Sequence, residues 1–427
     1  MVLNHVFQTF LHILRSFDYC DDQISFFYQL FSSVTSRTAA VLSFLKQAAQ
    51  FFFYKITSET QLLYHMRPAA YPIAPFPFKT LCLSRLSIYN LYVEKATMIK
   101  NKKERYSMKD ILFKGVGTAM ITPMKEDGSI NYEVFKDLLE MQIRENADAV
   151  VVAGTTGEGS TLSDEEHIEL VRYAAKCVNG RIPVIAGAGS NNTAHAVFLS
   201  KECEAAGADG LLHVTPYYNK ASQQGLFLHF SECAKATKLP IILYNVPSRT
   251  GVNIFPATYK RLSEIPNIVA AKEASGNFSQ MAKIASLCKD DLAIYSGNDD
   301  QITSALAIGA KGVISVIGNI IPQDTHNICA SYFAGNSEES DNIQLKYLEL
   351  IEALFLDVNP IPVKQAMRAM GYQAGPCRLP LCDMDSTMAE KLYTVLRQYG
   401  LLKKNMRSGS VTVHRVRNLG TIPARNL

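Results

Sequence analysis

Lys272 directly follows the apolar run 268–271, so a basic side chain stands at the end of a stretch whose other members seek burial. Burial disfavours the charged form of lysine and lowers its pKa, leaving the neutral amine that imine formation with a ketone requires. The same position also fits a buried ion pair with Glu273 or Asp299. Tyr244 ends the preceding apolar run and would stand beside Lys272 if the two runs are neighbouring strands. Its phenol can then pass protons to and from an imine and its carbinolamine precursor, although a core tyrosine with a satisfied hydroxyl fits equally. Thr155 and Thr156, bracketed by Gly154 and Gly157, offer hydroxyls and open backbone N–H groups to a small carboxylate, or form a plain tight turn. Arg249 follows in a Pro-Ser-Arg-Thr-Gly loop, where it either forks a second carboxylate or is a solvated surface arginine. Tyr217 and Tyr218, between Pro216 and Asn219, occupy an exposed place for two aromatics.

These residues share a context. Each lies at the end of a short, β-branched apolar run, and from residue 109 onward such runs alternate with amphipathic stretches about every 20 to 35 residues. The runs are 115–121, 149–153, 183–186, 210–214, 240–246, 268–271, 292–295 and 312–316, with helices expected at, for example, 132–145, 164–177, 194–205 and 224–237. Near-continuous apolar strands of this kind are buried on both faces. Eight βα units predict a closed (β/α)8 barrel over 108–321, whose reactive groups belong at the carboxyl ends of its strands. A doubly wound open sheet is the competing architecture, but Gly187-Ala188-Gly189-Ser190-Asn191-Asn192 lacks the third glycine of a dinucleotide fingerprint, and no GxxxxGK[ST] phosphate loop occurs. Residues 322–404 read as a C-terminal helical region and 405–427 as a basic, mobile tail.

At 427 residues, 48% hydrophobic and 19% charged, the chain can bury a large core, which excludes wholesale disorder. A net charge of +4, with no basic run interleaved with aromatics, argues against a nucleic-acid partner. Nine scattered cysteines, without a CxxC pair or histidines at ligand spacing, read as reduced thiols in a cytoplasmic protein and offer no metal site. All 24 glycines lie at or after Gly115, so the segment 1–107, rich in Phe, Tyr and Leu, cannot be barrel. Charged residues such as Arg15, Asp18, Arg37 and Lys46 interrupt its apolar runs before the ~18 residues a membrane helix needs. It also lacks the order of a secretory signal, since Arg15 follows the first apolar stretch. The expectation is that the functional protein starts at Met98 or Met108; an accessory or targeting segment is the alternative.

Over 115–402 the chain resembles the dihydrodipicolinate synthase family of pyruvate-dependent class I aldolases, to which N-acetylneuraminate lyase also belongs. The resemblance rests on GTTGE at 154–158, TPYYNK at 215–220, YNVPSRTG at 244–251, KEASG at 272–276, GVISV at 312–316 and NPIPVK at 359–364. It implies that Lys272 forms a Schiff base with pyruvate, that Tyr244 is the central proton carrier, and that Thr155 links it to Tyr218 in a relay. Thr156, with Gly297 and Ile314, would hold pyruvate, and Arg249 the carboxylate of L-aspartate semialdehyde. It further implies no cofactor or metal, and a dimer or a homotetramer of two tight dimers in which Tyr218 reaches into the neighbouring subunit's site.

Arg249 separates the subfamilies, because the synthases keep an S-R-T-G loop there and the sugar-acid lyases generally do not; a lyase acting on a sugar acid, and a non-catalytic binding barrel, remain the alternatives. Two departures are visible: Ala221 replaces a common proline, and Gly159 stands where serine is common. The resemblance further implies that in bacterial members inhibited by L-lysine a glutamate on the helix after the third strand grips the ligand's α-amino group, where this chain has His195; plant-type members use a different set of contacts. Asn191, His167 and Tyr217 match other positions of that site. The expectation is weak or absent inhibition.

Overall fold

The computed structural model describes Lys109 and residues 111–402. The expectations for 1–107 and for the tail 405–427 fall outside the described residues.

Eight parallel strands close into a barrel in simple sequence order: β1 (Gly115–Ala119), β2 (Ala149–Val152), β3 (Val184–Gly187), β4 (Gly210–Val214), β5 (Ile241–Asn245), β6 (Ile268–Glu273), β7 (Ala293–Ser296) and β8 (Gly312–Ser315). Closure is direct, with Gly115 of β1 paired to Gly312 of β8, so the open-sheet alternative is excluded. Glycine is required at that seam: Gly312 has φ +150°, and a Cβ there would come 1.8 Å from the Gly115 carbonyl oxygen. Strand ends shift by one or two residues from the sequence reading, and one shift matters for the site. β6 does not stop at Ala271 but continues through Lys272 and Glu273, because both pair with β5, opposite Tyr244 and Asn245.

The helices that follow β1 to β4 are α1 (Tyr132–Arg144), α2 (Asp164–Val178), α3 (Thr193–Ala205) and α4 (Gln223–Lys235). Their starts are set by side-chain caps: Asn131, Ser163, Asn192 and Ser222 each accept a first-turn N–H, and Ser163 with Glu166 completes a capping box. α4 ends at Lys235 instead of running to Thr237, whose hydroxyl leaves the helix to bond Glu204 Oε2 at 2.5 Å. The outer layer continues with α5 (Pro256–Leu262), α6 (Phe278–Cys288), α7 (Ile302–Ala307) and α8 (Pro322–Phe333), which packs on β1.

Two apolar layers result. Alternate strand residues such as Val150, Ile241 and Leu243 pack under the helices, while Val151, Ile185, Tyr295 and Ile314 fill the barrel interior. Phe113 stacks on Tyr295 at 4.3 Å and accepts its hydroxyl at 2.6 Å, plugging the amino-terminal end with apolar groups. Polar side chains are left to the other mouth. Beyond α8 come α9 (Ser337–Lys346), α10 (Leu348–Ala353), α11 (Ile361–Ala369) and α12 (Ser386–Gln398), with no strand among the described residues of this region. No described helix is long and apolar enough to cross a membrane, and the seven cysteines in the described part are free.

Candidate active site at the carboxyl end of the barrel

The geometry begins with a register shift. β5 and β6 pair Ile241 with Ile268 but Ile242 with Ala270, so one residue of β6 is passed over. Unshifted pairing would set Tyr244 opposite Ala271; the shift sets it opposite Lys272. Paired residues on parallel strands face the same side, so both side chains enter the barrel mouth. The Lys272 Nζ lies 4.3 Å from the Tyr244 ring centroid.

Lys272 is 5% exposed. Burial pushes its amine from 10.5 down to about 8; Asp299 pulls it back up and the Arg249 guanidinium pushes it further down. The ion-pair alternative is not realised. Glu273 points to the outer face, where it accepts Asn245 Nδ2 at 3.1 Å, Ser275 N at 3.0 Å and the Tyr259 hydroxyl at 3.2 Å. The Oδ2 of Asp299 accepts the N–H groups of Val316 and Ile317, both at 2.9 Å, and neither carboxylate lies within ion-pair distance of Lys272. Gly297 makes room for the amine, since a Cβ there would come 3.1 Å from Lys272 Cε and 2.6 Å from the Ala274 Cβ. Ile314 of β8 is fully buried in the same interior cluster as Tyr244. Burial raises the Tyr244 phenol's pKa, while Arg249 and the Thr155 hydroxyl draw it down. A phenol held protonated beside a partly neutral amine is a proton donor for carbinolamine collapse.

The remaining groups come from loops. Arg249 rides on a single helical turn, Pro247–Thr250, immediately after β5. Thr155 and Thr156 occupy the turn after β2: Thr155 is exposed to the mouth, and Thr156 is 3% exposed with its Oγ1 accepting Asn359 Nδ2 at 3.0 Å. A cavity of about 430 Å³ opens here, its wall including Thr155, Tyr244, Arg249 and Tyr217 on one side and His167 and His195 on the other. Lys272 and Thr156 adjoin that wall through Tyr244 and Thr155, the first across strands and the second along the chain. Tyr218 does not join them within one chain: it sits at φ +75° and is 85% exposed. A positive φ is uncommon in a non-glycine residue and marks this turn as specially shaped.

The two sequence departures acquire physical meaning. At Gly159 a Cβ would lie 2.2 Å from the Ala153 carbonyl oxygen, so this loop conformation does not admit a side chain. His195 donates its Nε2 N–H to Asp164 Oδ1 at 2.9 Å, and its Nδ1 bonds Ser190 Oγ at 3.1 Å, which fixes its ring on the cavity wall. His167, beside it, bonds the Gly187 carbonyl at 2.6 Å and is held below its ordinary pKa by burial.

A sequence profile described as the Dihydrodipicolinate synthetase family matches residues 112–399. The chain belongs to this family. Among similar members, the 4-hydroxy-tetrahydrodipicolinate synthase of Clostridium perfringens is 53% identical over 292 residues, 68% of this chain and 100% of that one. The dihydrodipicolinate synthase structure from Thermotoga maritima is 42% identical with a TM-score of 0.67, covering 68% of this chain and 100% of its own. The enzyme from Cyanidioschyzon merolae, solved with lysine bound, matches with the same identity and TM-score over 69% of this chain and 100% of that one.

Within this family framework the structure brings together Lys272, Tyr244, Thr155, Arg249, Gly297 and Ile314 at one mouth, with Thr156 behind Thr155. Sequence reasoning missed what supports them. Glu158, two residues after Thr156 and at φ +55°, is buried and pairs with Lys364 Nζ at 2.7 Å. Lys364 also donates to the carbonyls of Thr122 at 3.0 Å and Pro376 at 2.7 Å. The other Glu158 oxygen accepts Arg378 N at 2.8 Å. The available signal was a lysine inside the apolar motif NPIPVK.

Proposed function

We propose that this chain is a 4-hydroxy-tetrahydrodipicolinate synthase, a lyase of lysine and diaminopimelate biosynthesis that condenses pyruvate with L-aspartate semialdehyde. The observation that carries the reading is a buried Lys272, its amine brought down to about 8, paired across strands with Tyr244 in a mouth that also holds Arg249.

The neutral Lys272 Nζ adds to the pyruvate keto carbon, and the carbinolamine expels water as Tyr244 protonates the departing hydroxyl. Thr156 and neighbouring backbone N–H groups hold the pyruvate carboxylate. Loss of a methyl proton from the imine gives an enamine, whose carbon attacks the aldehyde while Arg249 pairs with the second substrate's carboxylate. The amino group of the condensed product then attacks the imine carbon, closing the ring and releasing the Lys272 amine. Thr155 connects Tyr244 to Tyr218, and the 85% exposure of Tyr218 in one chain supports its insertion into the site of a second copy. We assign a tight dimer, further paired into a homotetramer, as the working assembly. The free thiols support a cytoplasmic location.

Borohydride with pyruvate should reduce the imine and leave a stable adduct on Lys272, read by peptide mass. An enzyme that is not trapped, or a Lys272→Ala variant with wild-type turnover, sinks the mechanism. A coupled assay offering aspartate semialdehyde or N-acetylmannosamine as acceptor separates this synthase from a sugar-acid lyase; only the first should support turnover.

A further inference from the structure

We propose that Asn359 is a positioning residue for the pyruvate carboxylate, acting through the Thr156 hydroxyl. The proposal rests on the reading of Thr156 as a pyruvate contact. Thr156 Oγ1 accepts Asn359 Nδ2 at 3.0 Å, a buried contact between residues 203 positions apart. A threonine hydroxyl has one proton and two acceptor sites. With the amide N–H occupying an acceptor site, the proton must point elsewhere, and among the described residues the one hydrogen bond at Thr156 Oγ1 is this accepted one. The proton is free for an incoming carboxylate. A hydroxyl oxygen that already accepts an N–H is polarised and becomes a stronger donor. Asn359 thus selects the direction of the Thr156 O–H and strengthens it.

Asn359 is itself held for this task. It is 5% exposed at the entry to α11, and Lys364, on the next turn, bonds Pro360 O through its N–H at 3.0 Å and Glu158 through its ammonium at 2.7 Å. The motif that starts at Asn359 and ends at Lys364 therefore grips the turn after β2 at two points, Thr156 and Glu158. Among the described residues the Asn359 Oδ1 has no hydrogen-bond partner, so the contact with Thr156 is the side-chain hydrogen bond that orients this amide.

The test is a double-mutant cycle on the full-length enzyme, reading KM for pyruvate, KM for aspartate semialdehyde and kcat separately. Asn359→Ala should raise the pyruvate KM roughly 5- to 10-fold, the effect of one lost neutral hydrogen bond, with the semialdehyde KM unchanged and kcat within about threefold. In a Thr156→Val background the same substitution should change the pyruvate KM by less than about twofold, because the hydroxyl it directs is gone. Asn359→Asp keeps the side chain's shape but removes the N–H, and should raise the pyruvate KM more than Asn359→Ala does. Additive effects in the cycle, equal loss for both substrates, or an unchanged pyruvate KM in both Asn359 variants overturns the proposal. If Thr156→Val alone leaves the pyruvate KM unchanged, the Thr156 reading fails instead, and the two failures are distinct.

Discussion

The proposed active site is assembled in two ways. Lys272 and Tyr244 stand on adjacent strands, and their placement follows from main-chain pairing between segments that are near in sequence. Thr155, Thr156 and Tyr218 stand on turns with no such ladder. The turn after β2 is clamped by residues of the C-terminal region more than two hundred positions away, through Glu158–Lys364 and Thr156–Asn359. The strand-borne half needs a barrel; the turn-borne half needs the barrel and something laid against it. The segment beyond the eighth βα unit thus supports the turn after β2, which predicts that the two halves fail differently.

The largest effect is expected where the clamp is charged. Lys364→Met leaves Glu158, fully buried, without its counter-charge, and breaking one side of such a pair costs about 3–5 kcal/mol. Urea denaturation should show that loss, and Lys364→Met with Glu158→Gln should recover a good part of it. A single Lys364→Met change within 1 kcal/mol of wild type would show that the clamp does not hold the fold.

The strand-borne half should respond with the opposite sign. Because folding lowers the Lys272 pKa from 10.5 to about 8, the unfolded chain holds more protons between those values, so native stability rises with pH across that window and the penalty is complete below it. Lys272→Met should therefore be more stable than wild type at pH 7, by up to about 3 kcal/mol, with the gain fading toward pH 10.5 as turnover is lost throughout. Chemical denaturation at several pH values checks both sign and slope. In the wild type, kcat/KM for pyruvate should climb as pH passes about 8.

Tyr218→Phe sharpens the distinction in a third way. Its side chain is 85% exposed in one chain, so the substitution should leave stability unchanged. Turnover should fall on the order of 10²-fold, the usual effect of removing a proton-relay member. A simultaneous loss of stability would place the residue in the fold, and unchanged turnover would remove it from the relay.

The smallest effect concerns the far wall of the cavity. With His195 fixed on Asp164 and Ser190, and no carboxylate at this position to make a charge-assisted bond to an amino group, L-lysine binding is expected to be about 10- to 100-fold weaker than with a glutamate there. Titration at saturating substrates should give half-inhibition only above the millimolar range; sub-millimolar inhibition would show that His195 does not weaken the site.

The sequence by itself determined the eight βα units, their order, and which residues stand at the strand ends as candidates for the chemistry, because a strand's apolar run and the polar residue that ends it are written contiguously: Lys272 after 268–271 and Thr155 within Gly154–Gly157 are local facts. The tertiary structure alone decided which of these meet. The skipped residue between β5 and β6 sets Tyr244 opposite Lys272 instead of Ala271, and nothing in either strand announces it. Likewise Asn359 and Lys364 are an ordinary amide and an ordinary lysine until the chain returns across more than two hundred residues to Thr156 and Glu158. Their chemistry exists only after burial has removed the water that would otherwise satisfy them.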